Sequence, residues 1–90
     1  MGKDELAALI MEIIQDLRCI EAFRGESALG SIILNYEENL DSLVNGKNLT
    51  DLAGGSPRAY LEIYSDYENP VLIKMDLAQQ ELQKALGKEP

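Results

Sequence analysis

Three acidic side chains and one leucine share a helical face in the second quarter of the sequence. Leu34, Glu37, Glu38 and Asp41 fall at positions i, i+3, i+4 and i+7, so a helix places them side by side. A leucine among three carboxylates offers a partner one apolar anchor and a field that attracts basic groups. We predict that this face binds a basic protein partner, and the alternative is a solvated helix face.

Tyrosines provide a second candidate for partner binding. One face of a predicted helix carries Tyr60, Ile63, Tyr64 and Tyr67. An apolar row of this kind is more typical of a buried core than of a binding surface. Tyr67 stands between two acids beside a predicted turn. We therefore expect Tyr67 to keep its hydroxyl in water and to be available to a partner.

Catalytic chemistry has few residues to work with. The 90 residues include no histidine, which removes the usual general base and the commonest metal ligand. Cys19 beside Arg18 could be a reactive thiol, but cysteine more often behaves as a small buried hydrophobe. Gly54 to Pro57 lacks the lysine and the preceding strand of a phosphate-binding loop. We predict that the protein is not an enzyme and holds no cofactor or metal.

The residues that must organise the chain run from Lys3 to Phe23. Apolar residues recur there at alternating spacings of four and three, a pattern typical of an amphipathic helix. The stripe comprises Leu6, Leu9, Ile10, Ile13, Ile14, Leu17, Ile20 and Phe23. We predict a helix over 3–23 that lies at the centre of the fold or at a dimer seam.

The opposite side of this first helix carries a row of uncharged side chains. Small residues let a neighbouring backbone approach closely, so the row predicts a second contact, either inside the fold or with another copy. The candidate dimer seam consists of Ala8, Met11, Cys19 and Ala22.

A second helix is predicted over 27–45, with Ser27 as its N-cap and Asn45-Gly46 as its stop. Its inward stripe is predicted to contain Leu29, Ile32, Ile33, Tyr36, Leu40, Leu43 and Val44.

Two proline signals start the remaining helices. Ser56-Pro57 predicts a short third helix over 56–67, and Asn69-Pro70 predicts a turn followed by a fourth helix over 70–86. The fourth helix is predicted to bury Val71, Leu72, Met75, Ala78, Leu82, Ala85 and Leu86, with Ile73 and Leu77 on another side. The sequence therefore predicts one all-α domain over 1–90, a small antiparallel four-helix bundle whose third helix is short.

The charge balance narrows the choice of partners. Sixteen acidic residues against eight basic ones give a formal net charge of −8, and the excess is largest in residues 1–46. Nucleic acids and anionic membranes would be repelled by this field, so neither is an expected partner. No apolar stretch is long enough to span a bilayer, and one cysteine cannot form an internal disulfide, so we expect a cytoplasmic protein.

In size, charge and helix count the chain resembles the four-helix colicin-type immunity proteins, whose third helix is also short and rich in tyrosine. Their Asp-Leu-Ile-Tyr-Tyr-Pro run is missing, and the sequence has Ala-Tyr-Leu-Glu-Ile-Tyr over 59–64 instead. No residue roles carry over. The resemblance implies a small acidic interaction module that inhibits a basic partner. The alternative function is a helical accessory or scaffold subunit that homodimerises through the first helix.

Overall fold

The structure, a computed structural model, describes residues 2–25, 28–46, 57–64 and 67–85, with side chains left out at 3 and 85. Those residues form four α-helices and no strand, so the all-α prediction is confirmed. The helices are α1 Lys3–Arg24, α2 Gly30–Asn45, α3 Pro57–Ile63 and α4 Val71–Ala85. As predicted, the third helix is the shortest.

Helix α1 occupies the centre of the fold and contacts both α2 and α4. From Leu6 to Leu17 its apolar stripe is buried as predicted, and Ile10, Ile13 and Leu17 have no exposed surface. The helix ends where expected, because Gly25 adopts the left-handed conformation (φ 67°) and donates its N–H to the Ala22 carbonyl.

The prediction that Phe23 belongs to this stripe is wrong, since its side chain is 92% exposed. Six residues separate Phe23 from the buried Leu17, which turns it by about 120° around the helix axis. Phe23 therefore points away from the core that α1 forms with α2 and α4.

Helix α2 begins at Gly30 rather than near residue 27, and Leu29 occupies its N-cap position without a side-chain cap. The proposed cap Ser27 lies outside the described residues. The end of α2 is as predicted, because Gly46 (φ 67°) donates its N–H to the Ser42 carbonyl.

The inward face of α2 differs from its prediction at Val44, which is 70% exposed. Val44 is about 80° around the helix from the fully buried Tyr36. Its neighbours on α1 are the short Ala7 and the polar Asp4, which leave it uncovered. Asn39 is buried on the other flank of the stripe, and its Nδ2 donates to the Asn35 carbonyl at 3.0 Å.

Helix α3 starts at Pro57 as predicted but ends at Ile63, so Tyr67 lies in the following turn and not on the helix. Tyr60 and Tyr64 are core residues whose rings meet edge to face at 5.9 Å. Ile63 is partly exposed, and its predicted place in the core is wrong. Tyr60 and Tyr64 are the buried side chains on this side of the helix, and Ile63 lies on the flank of the face that they form.

A turn precedes α4, as the Asn69-Pro70 signal predicted. The Asn69 Oδ1 atom accepts a hydrogen bond from the Val71 N–H at 3.0 Å and caps the helix. Val71, Met75, Ala78 and Leu82 are buried. Ile73 and Leu77 lie outside this buried face, as predicted, because both are exposed. The side chain of Ala85 and the whole of Leu86, also predicted to be buried, lie outside the described part of the structure.

Specific contacts set the directions of the outer helices. Arg18 meets Glu37 while Asp4 lies near Val44, so α1 and α2 are antiparallel. Asp16 pairs with Lys74 at 2.8 Å, and Asn69 lies near the end of α1, so α1 and α4 are antiparallel too. Helix α3 packs on α4. The Asp16 hydrogen bond raises the pKa of Lys74.

Candidate functional site

An open groove of about 450 Å³ runs between α1 and α2 on one face of the protein. Met11, Ile14 and Arg18 line it from α1, at the spacing of successive helical turns. Leu40, Val44, Glu37 and Asp41 line it from α2. We call this site the α1/α2 groove.

The floor and the apolar edges of the α1/α2 groove come from both helices. Ile14 is buried and Leu40 is partly buried, so they form the floor. Met11, 49% exposed, and Val44, 70% exposed, project from the two walls. Methionine is unbranched and adapts its shape to a contacting surface. The groove thus presents apolar surface that no other described helix covers.

Acidic side chains border the α2 wall. Glu37, Glu38 and Asp41 are the charged residues of α2, and this helix has no basic residue. All three carboxylates reach solvent, Glu37 least. Helix α2 therefore carries three negative charges within two turns, and two of them, Glu37 and Asp41, lie in the groove wall.

One basic side chain meets this wall. The Arg18 Nη2 atom donates a hydrogen bond to the Glu37 Oε2 atom and forms an ion pair that links α1 to α2. Both side chains are substantially exposed, so the pair contributes little to stability. It neutralises one of the two carboxylates that line the groove, so the groove keeps one net negative charge, from Asp41.

The structure brings together residues that the sequence assigned to two different sites. Met11, from the candidate dimer seam, lies in one groove with Glu37 and Asp41, from the candidate partner face. Leu34 and Glu38 are exposed on α2 but do not line the groove.

The remaining candidates lie elsewhere. Tyr67 is 71% exposed in the turn before α4. Ala8, Cys19 and Ala22 are exposed on α1, so no other element in the described part of the chain buries them.

Cys19 borders a second depression, of about 430 Å³, beside Phe23 and Asn69 at the junction of α1 and α4. The guanidinium of Arg24, another residue of this depression, stacks on the Tyr64 ring with 4.0 Å from Cζ to the ring centroid. This contact holds Arg24 against the core. Cys19 is an exposed thiol here, contrary to the general expectation that cysteine is buried.

Six residues of the groove were not singled out by the sequence as functional, namely Ile14, Gln15, Arg18, Leu40, Val44 and Asn45. Ile14, Leu40 and Val44 belonged to predicted core stripes. The helical period of the sequence does not distinguish a residue that lines a groove from a residue buried in the core. Arg18 was considered only as a neighbour of Cys19. Its pairing with Glu37 requires the register between α1 and α2, which sequence spacing does not provide.

Groups that could bind a metal do not converge in the described part of the chain, where no cluster of three or more cysteine, aspartate or glutamate ligands occurs. No helix among the described residues is both long and apolar enough to cross a membrane.

Comparison of the chain with models of protein families, with curated proteins and with solved structures found no match.

Proposed function

We propose that this protein is a small acidic interaction module that binds a basic protein partner in the α1/α2 groove. The observation that carries the proposal is an apolar groove that no other described helix covers, beside a helix, α2, that has three acids and no base. Two of these acids, Glu37 and Asp41, line the groove. Apolar contact supplies most of the affinity in such sites, and charge supplies selectivity and speed of association.

The sign of the charge favours a basic partner. The whole chain has a formal net charge of −8, and α2 places Glu37 and Asp41 directly at the groove. A positively charged surface is attracted to this field over a distance of about 8–10 Å at physiological salt. If the partner is a nucleic-acid-binding protein, the module would compete for its positive surface. This is the inhibitor role that an immunity-type protein performs.

Homodimerisation through α1 is the second candidate, and the exposed row of Ala8, Met11, Cys19 and Ala22 favours it. Charge opposes it. A second copy would bring a second set of α1 and α2 acids close to the first, and like charges near each other are unfavourable. A heterologous basic partner meets no such penalty, so we propose it first.

Site-specific photo-crosslinking tests the proposal. A photoreactive residue replaces Val44 in one variant and Ile73 in the other, because both side chains are strongly exposed but only Val44 lines the groove. Both proteins are irradiated in extracts of the native cell. We expect a basic protein to be crosslinked from position 44, less so as salt rises, and not from position 73.

Crosslinked proteins that are acidic, or that are the same from both positions, would contradict the proposal. A product consisting of two copies of this chain from position 44 would favour the scaffold function instead.

A further inference from the structure

We infer that the segment of the partner that enters the α1/α2 groove is an amphipathic α-helix with lysine or arginine beside its apolar stripe. The inference rests on the proposed function and specifies the chemistry of the occupant.

The shape of the groove can accommodate a helix. Its two walls are antiparallel helices, and the lining residues of each wall are one turn apart. From Met11 to Arg18 the wall extends about 10 Å, or two helical turns. An amphipathic helix can lay its apolar face into a hydrophobic groove, so a third helix can pack its apolar stripe between α1 and α2.

Backbone hydrogen bonding argues against an extended segment. A strand-like peptide binds well where a sheet edge offers unpaired N–H and C=O groups, and the described residues contain no strand. The groove walls use their backbone groups within α1 and α2, and the floor beneath is Ile14 and Leu40. An extended segment would bury polar backbone groups against this floor without partners. A helix pairs its own backbone groups before it binds.

The distribution of charge places the basic residues of the occupant at the edge of its apolar stripe. Met11 and Val44 offer apolar contact across the groove, whereas Glu37 and Asp41 stand along the α2 side. Lysine and arginine have long aliphatic stems that can cross apolar surface while the charged end stays in water. A basic residue flanking the stripe can therefore contact the groove and reach the carboxylate of Asp41, whereas Glu37 is already paired with Arg18.

Two synthetic peptides of identical composition test the inference. Each has about 14 residues, roughly four helical turns, with leucine and lysine arranged as an amphipathic helix. The second peptide has D-residues at two central positions, which break the helix without changing its charge or apolar content. Isothermal titration calorimetry measures each peptide against the full chain, against Val44→Ser and against the control Ile73→Ser. Valine and serine have similar helix propensities, so neither variant is expected to disturb its helix.

We expect the all-L peptide to bind at least about tenfold tighter than the D-containing one, because only the former is preorganised for the groove. Val44→Ser should weaken binding of the all-L peptide by about tenfold, the loss expected for the removed apolar contact. The control Ile73→Ser should bind the same peptide with an affinity within about twofold of that of the unchanged protein.

The outcomes separate this inference from the proposed function. Equal affinity of the two peptides, with a loss in Val44→Ser, would overturn the helical occupant while supporting the groove as the site. Affinities that do not respond to Val44→Ser, or no binding of the all-L peptide, would overturn the inference, and crosslinking from position 44 would still test the proposed function independently.

Discussion

The carboxylate of Glu21 on α1 accepts a hydrogen bond from the backbone N–H of Leu29, with 3.0 Å between Oε2 and N. Leu29 is the N-cap residue of α2 and has no side chain that could cap the helix. The start of α2 is thus stabilised by a residue eight positions earlier, on another helix. An anionic acceptor at a helix N-terminus is favourable both as a hydrogen-bond partner and toward the helix dipole.

Glu21→Ala should therefore lower the free energy of unfolding by about 1 kcal/mol, a typical value for the loss of a helix cap. Urea denaturation followed by circular dichroism measures the change. Glu12→Ala is the control, because Glu12 is exposed on the same helix. Equal effects of the two substitutions would show that the Glu21 contact has no special role.

Ile13 tests the central position of α1. Its side chain is completely buried, so Ile13→Ala should cost about 2–5 kcal/mol through lost apolar contact and the cavity left behind. Ile73→Ala serves as a control, since Ile73 is 76% exposed and surface changes usually stay within about 0.5 kcal/mol. A loss below about 1 kcal/mol for Ile13→Ala would place this face at the surface.

Ala8 distinguishes the two candidate functions. It is exposed in the single chain, so Ala8→Glu should change neither the mass in solution nor the stability appreciably if the protein is monomeric. Light scattering after size-exclusion chromatography gives the mass. A dimer that becomes a monomer in Ala8→Glu would support the scaffold function and a seam through α1.

Tyr36 should make the fold sensitive to alkaline pH. Burial raises the pKa of its phenol above the ordinary value of 10.0. The unfolded chain loses this proton as pH passes 10, whereas the folded chain retains it, so the stability contributed by this group declines as pH rises above 10. Tyr36→Phe removes the titrating group.

Stability measured by urea denaturation between neutral pH and pH values above 10 should fall less steeply for Tyr36→Phe than for the unchanged protein. Tyr67→Phe is the matched control, because Tyr67 is largely exposed. The same alkaline decline in all three proteins would contradict the assignment to Tyr36.

The acidic face of α2 should govern the rate of partner binding. Combined Glu37→Gln, Glu38→Gln and Asp41→Asn changes should slow association with the crosslinked basic partner, with an effect that shrinks as salt screens the charges. Leu34→Ala should instead speed dissociation if this exposed leucine is an apolar anchor. Stopped-flow kinetics at two salt concentrations measure both rates. Unchanged rates for both variants would leave this face as solvated surface and direct attention to Tyr67.

The stops of α1 and α2 and the start of α4 could be predicted from the sequence, because their signals act within a few residues. Gly25 and Gly46 both take the left-handed conformation that stops α1 and α2, and Asn69 caps α4 through its own side chain. The core of α1 follows for a related reason. A stripe that includes Ile10, Ile13 and Leu17 has one broad apolar face, which any compact arrangement must bury.

Tertiary structure decided what happens at the edges of those stripes. Val44 and Asn39 stand on opposite flanks of α2, and by residue type the valine is the better core residue, yet Asn39 is buried and Val44 is exposed. Phe23 is exposed in the same way at the end of α1. Burial depends on which side chains of other helices stand opposite, and those come from distant parts of the chain. The α1/α2 groove has the same origin, because Met11 and Asp41 line one groove only once α1 and α2 are packed in a particular register.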